Sequence, residues 1–501
     1  MRSTMEPTGR PRVVMLVDNT VDGDSRVQKA ARAMADYGWD VHLIGRSTTP
    51  APEEYALGAA TVHRLPLEAV PARKSLLDRA MRLRFPLMYK NNGLADVVQR
   101  DVGISKTEEV QRSFAPGARA RGVLPRPMRD LAGKVRRRFL QTRVRQTRAG
   151  FRWRGRRTHG RLQTFDAAMW KALAGNGAWR RLDPTPLRYD VTYGPLIEAL
   201  RPALVHAHDY RMIGVGARAV ARARSRGERV RLLYDAHEFV PGITNPAGSR
   251  WLASQTLYER EYFKCADAVV TVSEPLADLL VAEHGLAERP AVVLNTPPRT
   301  PSAAPAPGVR AACGLPAETP LAVYCGGAAE PRGLHTLVGT LALLPDLHVA
   351  LVINTLDSPY VQGLVATAEA AGAADRLHLM GYVPYAELPA FLASADVGVH
   401  PLRRGPVNHE VALSTKFFEF LQARIPVVVS DVRAMSEAVA DMGIGESFAS
   451  EDTADLARAL TAVLVAPETY RKPYTDPDLL DRYTWEAQAE HYETLYHRLL
   501  D

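Results

Sequence analysis

The strongest constraint on the fold is an alternation of apolar strand segments and amphipathic helices, which occurs in two series. The first series starts with the strand segment RVVMLVDN, a helical pattern over residues 25–38 and a second strand segment, WDVHLIG. Strands that are apolar on both faces and connected by helices are typical of a parallel sheet covered by helices on both sides. The segments ALVHAHD, RLLYDAHE, DAVVTVS and AVVLN are assigned to the same sheet.

A second series follows the proline-rich segment 297–308, which contains five prolines and cannot continue regular structure. Its strand segments are LAVYCGG, HVALVIN, LHLMG, DVGVHPL and PVVVSD. The chain is therefore predicted to be an α/β protein with two Rossmann-like, doubly wound parallel-sheet domains facing a cleft.

The predicted first domain spans residues 10–292 and is completed by a C-terminal helix at 480–501, and the second domain spans residues 293–479. Between about 66 and 188 the strand–helix rhythm fails, which indicates an insertion in the first domain. One helix, FDAAMWKALAG, is expected near its end.

The net charge of +8 is concentrated in one segment. Residues 112–161 contain 17 Lys/Arg and one acid, Asp130, so this segment carries +16 and the rest of the chain −8. Three interpretations stay open for this basic segment: a solvated insertion, a peripheral contact with an anionic membrane surface, or a nucleic-acid contact, which is the least expected. Mixed cationic and aromatic residues favour the membrane interpretation over nucleic acid.

Several classes of protein are disfavoured by what the sequence lacks. Three scattered cysteines give no disulfide framework or multi-cysteine zinc site, so a reducing compartment is expected. No apolar segment is long enough to span a membrane, so the predicted location is cytoplasmic, with a peripheral contact on the inner membrane face. The motifs GxxxxGK[ST], GxSxG and HExxH are absent, and Gly326-Gly327 lacks the GxGxxG spacing of nicotinamide or flavin binding.

Candidate site residues lie just after strands, because parallel sheets bind ligands outside their carboxyl ends. In the first domain these residues are Asp18, Asn19, Gly23, His206, His208, Asp209, His237 and Glu238. In the second domain they are Gly326, Gly327, Arg332, Tyr382 and the block NHEVALSTKFFEF at 408–420.

The block NHEVALSTKFFEF is the most informative of these segments. The N–H groups near Ser414 and Thr415 begin a helix and are suited to hold a phosphate. Glu419 is placed to accept hydrogen bonds from sugar hydroxyls, while Lys416 or Arg332 could neutralise a diphosphate. The alternative is that Ser414 is an ordinary N-cap and Glu419 a solvated helix residue.

The sequence does not predict a zinc site at His206, His208 and Asp209. Two histidines and an acid lack a third partner at a familiar spacing. The metal prediction is therefore none.

Eight segments in order carry a resemblance to a known family: DNTVDGDSRVQKAARAMADYGWDV, LVHAHD, YDAHEF, ADAVVTVSEPLADLL, YCGGAAEPRGL, LMGYVPYAEL, SADVGVHPL and STKFFEFLQARIPVVVSD. Together they resemble the retaining, nucleotide-sugar-dependent glycosyltransferases of the GT-B type, family 4 and close relatives. The resemblance covers residues 11–63 and 190–500, roughly, and leaves the segment 66–188 outside.

The resemblance implies roles for residues of the second domain. Arg332 matches the second of two cations that hold the donor diphosphate, while Gly327 stands at the position of the first. Glu419 matches the second of two glutamates and is expected to bind the ribose. The first glutamate is expected at Val411, and Glu410 lies one residue earlier. Ser414, Lys416, Phe418 and Glu419 match a form of this motif found in many relatives.

The remaining roles implied by the resemblance complete the predicted site. Tyr382 and Val383 match a loop whose backbone meets the nucleobase, and His237 matches a histidine beside the transferred sugar. Gly23 matches a glycine loop that closes over the diphosphate. The predicted catalytic residues are His237, Arg332 and Glu410. The predicted substrate-binding residues are Gly23, His208, Gly326, Gly327, Tyr382, Val383, Ser414, Thr415, Lys416 and Glu419.

The function implied is transfer of a sugar from a nucleotide-diphosphate sugar to an unknown acceptor, with retention and without a metal cofactor. The acceptor could be lipid-linked, a polysaccharide or a small molecule, and polysaccharide biosynthesis is an expected setting. Two alternatives stay open: a nucleotide-sugar epimerase or hydrolase, and a non-catalytic nucleic-acid-binding or adaptor protein that uses the basic segment.

Overall fold

The computed structural model describes residues 11–68, 75–113, 126–244, 247–299, 307–385 and 387–501, with only the backbone described at 103–113 and 126–130. The chain divides into two compact units. One falls within Met1–Ala69, Pro186–Thr244 and Glu259–Asp501, and the other within Val70–Thr185 and Asn245–Tyr258.

The first unit contains two sheets, and the first of them has eight strands. Its strands are β1 (Arg12–Leu16), β2 (Asp40–Arg46), β3 (Glu53–Leu57), β4 (Ala60–Leu65), β5 (Leu204–His208), β6 (Arg231–Ala236), β7 (Ala268–Thr271) and β8 (Ala291–Val292). Their order is β3-β4-β2-β1-β5-β6-β7-β8. All neighbours are parallel except β3 and β4, which form an antiparallel edge.

The second sheet has six strands, which are all parallel. They are β9 (Leu321–Gly326), β10 (His348–Ile353), β11 (Leu377–Met380), β12 (Val397–His400), β13 (Val427–Ser430) and β14 (Gly445–Phe448), in the order β11-β10-β9-β12-β13-β14. The predicted fold class, two α/β domains built on parallel sheets, is confirmed. The domain boundaries at 292 and 479 stay predictions.

Helices connect the strands and form the second unit. They are α1 (Ser25–Asp36), α2 (Leu76–Arg84), α3 (Asn92–Ser113), α4 (Arg126–Gly155), α5 (Arg161–Ala174), α6 (Trp179–Leu182), α7 (Pro186–Leu200), α8 (Tyr210–Ser225), α9 (Ser249–Phe263), α10 (Glu274–His284), α11 (Val309–Ala312), α12 (Leu334–Gly339), α13 (Pro359–Ala370), α14 (Leu388–Leu392), α15 (Val407–Val411), α16 (Thr415–Gln422), α17 (Arg433–Met442), α18 (Thr453–Val465), α19 (Pro467–Arg471), α20 (Pro477–Arg482) and α21 (Trp485–Leu500). Six short 3-10 segments add Gly175–Ala178, Val240–Gly242, Glu330–Arg332, Thr340–Ala342, Ala374–Arg376 and Lys472–Thr475.

The C-terminal helix α21 packs on the first sheet although it follows the second in the chain. Its apolar face buries Trp485, Tyr492 and Tyr496 in the same core as Val13 and Met34. The amphipathic pattern of this segment, with a buried side chain every three or four residues, explains the burial. Helix α21 thereby ties the end of the chain to the strands at its beginning.

The described part of the second unit is helical. Helices α2 to α6 occupy its first segment, and α5 covers most of the predicted helix FDAAMWKALAG. Helix α4 buries Val144 in one cluster with Tyr89 and Ala95. The predicted loss of the strand–helix rhythm is thus seen from 75 to 113 and from 126 to 182, while 114–125 lie outside the described residues. That this region is an insertion stays a prediction.

None of the helices in the described ranges is both long and apolar enough to cross a membrane.

Candidate functional site

The carboxyl edge of the second sheet is shaped by two glycines. Gly326 ends β9 with φ of 132°, and Gly333 has φ of 68°, both in the region that favours glycine. A Cβ on Gly333 would lie 1.9 Å from the carbonyl oxygen of Pro401, so this position accepts no side chain. The turn between them carries Arg332 at the end of a short 3-10 helix.

Lys416 lies against this turn. Its Cε is 2.5 Å from where a Cβ on Gly326 would be, so the glycine makes room for the lysine stem. The neighbouring Gly327 has open space at its own Cβ position, and its carbonyl accepts a hydrogen bond from the Tyr324 hydroxyl at 2.8 Å. The turn at Gly326 and Gly327 therefore has a lysine from α16 beside it.

Ser414 takes the N-cap position of α16 without capping it. Its backbone is extended, as an N-cap requires, but its side chain makes no hydrogen bond to the first helical amides. The hydroxyl instead pairs with Nε2 of His400 at 2.9 Å. The interpretation of Ser414 as an ordinary N-cap is therefore wrong, and the amides that begin at Thr415 have no side-chain cap.

The carboxyl edge of the second sheet has an excess of positive charge. Within the described ranges, no carboxylate lies within ion-pair distance of Arg332 or Lys416. His400 is buried, and burial, with a further contribution from Lys416 and Arg332, lowers its pKa from 6.5 to about 3. The imidazole is therefore neutral, and the two cations are the dominant charges around it. Such an edge favours an anion.

Glu419 lies one turn into α16 and is 9% exposed. The thiol of Cys325 donates to its Oε2 at 3.3 Å. Burial raises the pKa of Glu419 above its ordinary value, although Lys416 and Lys29 act in the opposite direction. The interpretation of Glu419 as a solvated helix residue is therefore wrong, since the carboxyl group is held inside the protein.

The other predicted residues of the second sheet differ in their burial and in their hydrogen bonds. Tyr382 and Val383 follow β11; Tyr382 is 67% exposed, whereas Val383 packs against the core. Glu410 lies in α15, where its carboxylate accepts from the backbone N–H of Gly405 at 3.3 Å and of Arg433 at 3.1 Å. Glu410 thus supports the start of α17, a structural role beside its predicted catalytic one.

At the first sheet, the loop after β1 is held by short polar contacts. Asn19 donates to the Asp24 carboxylate at 2.7 Å and accepts from the amide of Val21 at 2.8 Å, and Asp24 caps α1. Gly23 has φ of 78° and open space at its Cβ position. The glycine is therefore required by backbone conformation, and its surroundings leave room for a ligand.

His237 follows β6 and belongs to a network centred on Asp235. Its Nε2 is 3.5 Å from Asp235 Oδ2, and its side chain is 22% exposed. Burial alone would lower the pKa of His237, but the Asp235 carboxylate outweighs it and raises the pKa above the ordinary value. Arg26 donates to both Asp235 oxygens at 3.0 Å, and the Tyr492 hydroxyl donates to Oδ2 at 2.6 Å.

His206 and His208 lie beneath this network and are fully buried. Together with Asp235 they offer ligand atoms within 4.8 Å of one another. Both oxygens of Asp235 are already bound by Arg26, however, and a guanidinium cation at the same carboxylate opposes a second cation. Asp209, the acid weighed from the sequence, caps α8 instead, accepting from the Tyr210 amide at 2.6 Å.

Asn408 joins the two sheets near His237. Its Oδ1 accepts from the Phe239 amide at 2.7 Å, and its Nδ2 donates to the Phe239 carbonyl at 3.0 Å. Ser273 adds a hydrogen bond to the Val411 carbonyl at 2.5 Å. These hydrogen bonds hold the loop that follows β6 against α15. Phe239 is two residues from His237 in the loop, and Asn408 is two residues from Glu410 in the helix.

The sequence reasoning missed Asn408, Asp235 and Arg26. Asn408 lies in the block already singled out, but within the segment expected to be a loop before the helix at Ser414, and nothing in its spacing indicated the contact with Phe239. Asp235 and Arg26 carried the signal of charged residues within otherwise apolar or amphipathic segments, since such residues are rarely buried unless paired.

Two doubly wound parallel sheets joined at their carboxyl edges define the class: the fold is that of the GT-B proteins. Residues 171–297 match the family model "Glycosyltransferase Family 4", and residues 309–475 match "Glycosyl transferases group 1". Two glycosyltransferase family models thus match successive segments of the chain.

Curated relatives match part of the chain. A 2-deoxystreptamine glucosyltransferase of Streptomyces kanamyceticus is 30% identical over 220 residues, which are 42% of this chain and 55% of the relative. A 2-deoxystreptamine N-acetyl-D-glucosaminyltransferase of Streptomyces fradiae is 28% identical over 190 residues, 36% of this chain and 43% of the relative. The chain thus spans about half the length of the curated relatives it matches.

Solved structures match the fold over nearly the whole chain. Sucrose-phosphate synthase of Thermosynechococcus elongatus has a TM-score of 0.59 at 15% identity, covering 98% of this chain and 99% of that chain. Anabaena Alr3699/HepE in complex with UDP-glucose has a TM-score of 0.56 at 13% identity, covering 97% of this chain and 100% of that chain. At these identities the likeness concerns the fold.

Proposed function

We propose that the protein is a glycosyltransferase that uses a nucleotide-diphosphate sugar as donor. The observation that carries the proposal is the pair of cations at the second sheet, Arg332 and Lys416, without a carboxylate partner in the described structure and beside the amino terminus of α16. Fixed cations and helix amides aimed at phosphate oxygens stabilise a leaving diphosphate as its negative charge grows. The complexes of similar folds with UDP-glucose support this choice of donor class.

Lys416 is proposed to replace the missing first cation of the family pattern. Because Gly327 has no side chain and Lys416 lies against Gly326, the lysine brings a positive charge to the same turn from another element. Glu419, in the next turn of α16, is proposed to accept hydrogen bonds from the ribose hydroxyls. Thr415 contributes its amide to the phosphates.

His237 and the loop at Gly23 are proposed to act on the sugar side. The Asp235 carboxylate favours a protonated His237, which can donate to a sugar hydroxyl or to the leaving oxygen. Glu410 is kept as a candidate for the donor sugar, with its carboxylate already shared with α17. Retention of configuration follows from the family resemblance and is part of the proposal.

The acceptor class and the location are also proposals. A lipid-linked, polysaccharide or small-molecule acceptor is compatible with the site, and the protein is proposed to act in the cytoplasm with a contact of residues 112–161 on an anionic membrane surface. No metal is proposed to be needed. EDTA should therefore leave turnover unchanged, and loss of turnover that added Mg²⁺ restores would refute the metal-free proposal.

A thermal-shift panel of nucleotides and nucleotide sugars tests the donor site. A ligand that binds only the folded protein raises its melting temperature with affinity. We expect a shift with at least one nucleoside diphosphate, and a smaller shift in Arg332→Ala. No shift with any member, in a protein that melts cooperatively, would remove the proposed donor site.

Product analysis separates transfer from the alternative reactions. With a labelled donor and no acceptor, a transferase should release little label, a hydrolase should release free sugar, and an epimerase should convert the donor to its epimer. Rapid release of free sugar or full epimerisation at a rate unaffected by candidate acceptors would contradict the proposal.

A further inference from the structure

Helix α4 carries an exposed apolar stripe that none of the proposed chemistry uses. Leu131, Val135 and Phe139 are 63%, 61% and 49% exposed. They are spaced by four residues, so they lie on one face of the helix and drift by only about 40° from one to the next. The three side chains line one shallow surface groove together with Ala132 and Arg136.

The stripe is not the face by which α4 packs in its own unit. Val144 is 2% exposed, and it follows Val135 by nine residues, which is about half a turn around the helix. Gly150 follows Phe139 by eleven residues and lies nearly in line with the stripe, and a Cβ there would meet Phe85 at 3.3 Å, so the exposed stripe is confined to the turns of α4 that carry Leu131, Val135 and Phe139. In those turns the stripe therefore lies opposite the side on which Val144 is buried.

Positive charges flank the stripe on both sides. Lys134 and Arg138 lie along one border, and Arg136 and Arg143 along the other, at the angles that about 100° per residue gives. Residues 131–160 contain eleven Lys/Arg and no acid. The guanidinium of Arg143 donates to a backbone carbonyl and lies 4.0 Å from the centre of the Tyr89 ring, and neither contact neutralises its charge.

We propose that the outer face of α4 docks on an anionic lipid bilayer. Leu131, Val135 and Phe139 would enter the boundary between headgroups and acyl chains, while the flanking cations contact lipid phosphates. This arrangement of an apolar stripe between two cationic borders is the one that an interfacial helix requires. The proposal rests on the membrane contact proposed above for residues 112–161 and names the face of α4 that makes it, and it does not depend on glycosyl transfer.

Two other occupants fit the surface less well. A nucleic acid would use the cations but gain nothing from three exposed apolar side chains over a phosphate backbone. A second copy of the chain would bring an equally cationic border against the first, which opposes association. The combination of stripe and charge therefore selects lipid.

Vesicle flotation of the full chain tests the proposal, with vesicles of phosphatidylcholine alone and of phosphatidylcholine and phosphatidylglycerol in equal parts. We expect partition to the anionic vesicles. The triple variant Leu131→Ser, Val135→Ser, Phe139→Ser should partition at least about tenfold more weakly while keeping every charge. The double variant Arg136→Gln, Arg138→Gln should also lose about tenfold or more, and raised salt should weaken the parent.

The matched control changes three exposed apolar residues of the first unit, Leu343→Ser, Leu356→Ser and Val465→Ser, which are 51%, 45% and 79% exposed. It should float like the parent. Far-UV circular dichroism confirms that each variant keeps its helix content. Equal flotation of the parent and the α4 serine variant would overturn the proposal. So would binding of both proteins to duplex DNA without flotation, or a dimer of the parent that the serine variant loses while neither protein floats.

Discussion

The two sheets of the first unit differ in whether their cations are paired with a carboxylate. At the first sheet Arg26 is fully neutralised, with two 3.0 Å hydrogen bonds to Asp235 and one of 2.8 Å to the Val293 carbonyl. At the second sheet Arg332 and Lys416 have no carboxylate partner in the described structure. A charge that is fully paired within the protein serves the fold, whereas a charge left without a partner at a sheet edge is available to a ligand.

Removal of the paired carboxylate tests this contrast with the largest expected effect. Asp235→Asn leaves the Arg26 guanidinium buried without a counter-charge, and the free energy of unfolding should fall by about 3–5 kcal/mol. Urea denaturation of the variant and of the parent measures this difference in the free energy of unfolding. The control is Glu437→Gln, which breaks the exposed pair with Arg433 at 3.0 Å and should cost at most about 1 kcal/mol. Equal losses in the two variants would show that the first-sheet pair has no special weight.

The pH dependence of His400 is expected to be the next largest effect. The folded pKa of His400 is about 3 and its ordinary value 6.5, so the unfolded chain binds the proton first as pH falls. Stability is therefore present above pH 6.5 and is lost as pH falls from there towards 3. Between about pH 7 and about pH 5, the free energy of unfolding of the parent should fall by about 2 kcal/mol more than that of the His400→Gln variant. Parallel curves for the two proteins would contradict the depressed pKa.

Loss of an unpaired cation should affect turnover rather than stability. Arg332→Ala removes a charge that is aimed at the proposed diphosphate, so turnover of the nucleotide sugar should fall at least tenfold, or about 1.4 kcal/mol in the barrier. Its unfolding free energy should stay within about 0.5 kcal/mol of the parent. Arg433→Ala, which removes an exposed arginine at the start of α17, should keep parental turnover. Full activity in Arg332→Ala would exclude Arg332 from the site.

The sequence predicted the sheets because buried parallel strands leave long apolar segments that helices separate. It also placed His237 and Arg332 after strands and Ser414 at the start of a helix, since those positions follow from the same pattern. The hydrogen-bond partner of each side chain could not be predicted from the sequence. Ser414 could bond the helix or His400, and Asp235 could face solvent or Arg26, which lies 209 residues away in the sequence. Such choices depend on tertiary packing, which local periodicity does not encode.

Glu419 offers the smallest and most specific test, because it is a buried acid without an ion pair to any residue in the described ranges. Burial of a carboxyl group costs desolvation free energy, and we propose that this group is retained because it binds the ribose hydroxyls of the donor. Glu419→Ala should therefore reduce nucleotide-sugar turnover about tenfold, mainly through a higher KM for the donor. Cys325→Ala removes only the thiol that donates to Glu419 and should leave that KM near the parental value. If both variants raised the KM for the donor alike, Glu419 would act through packing around the thiol. Only Arg332 and Lys416 would then count as charges that bind the ligand.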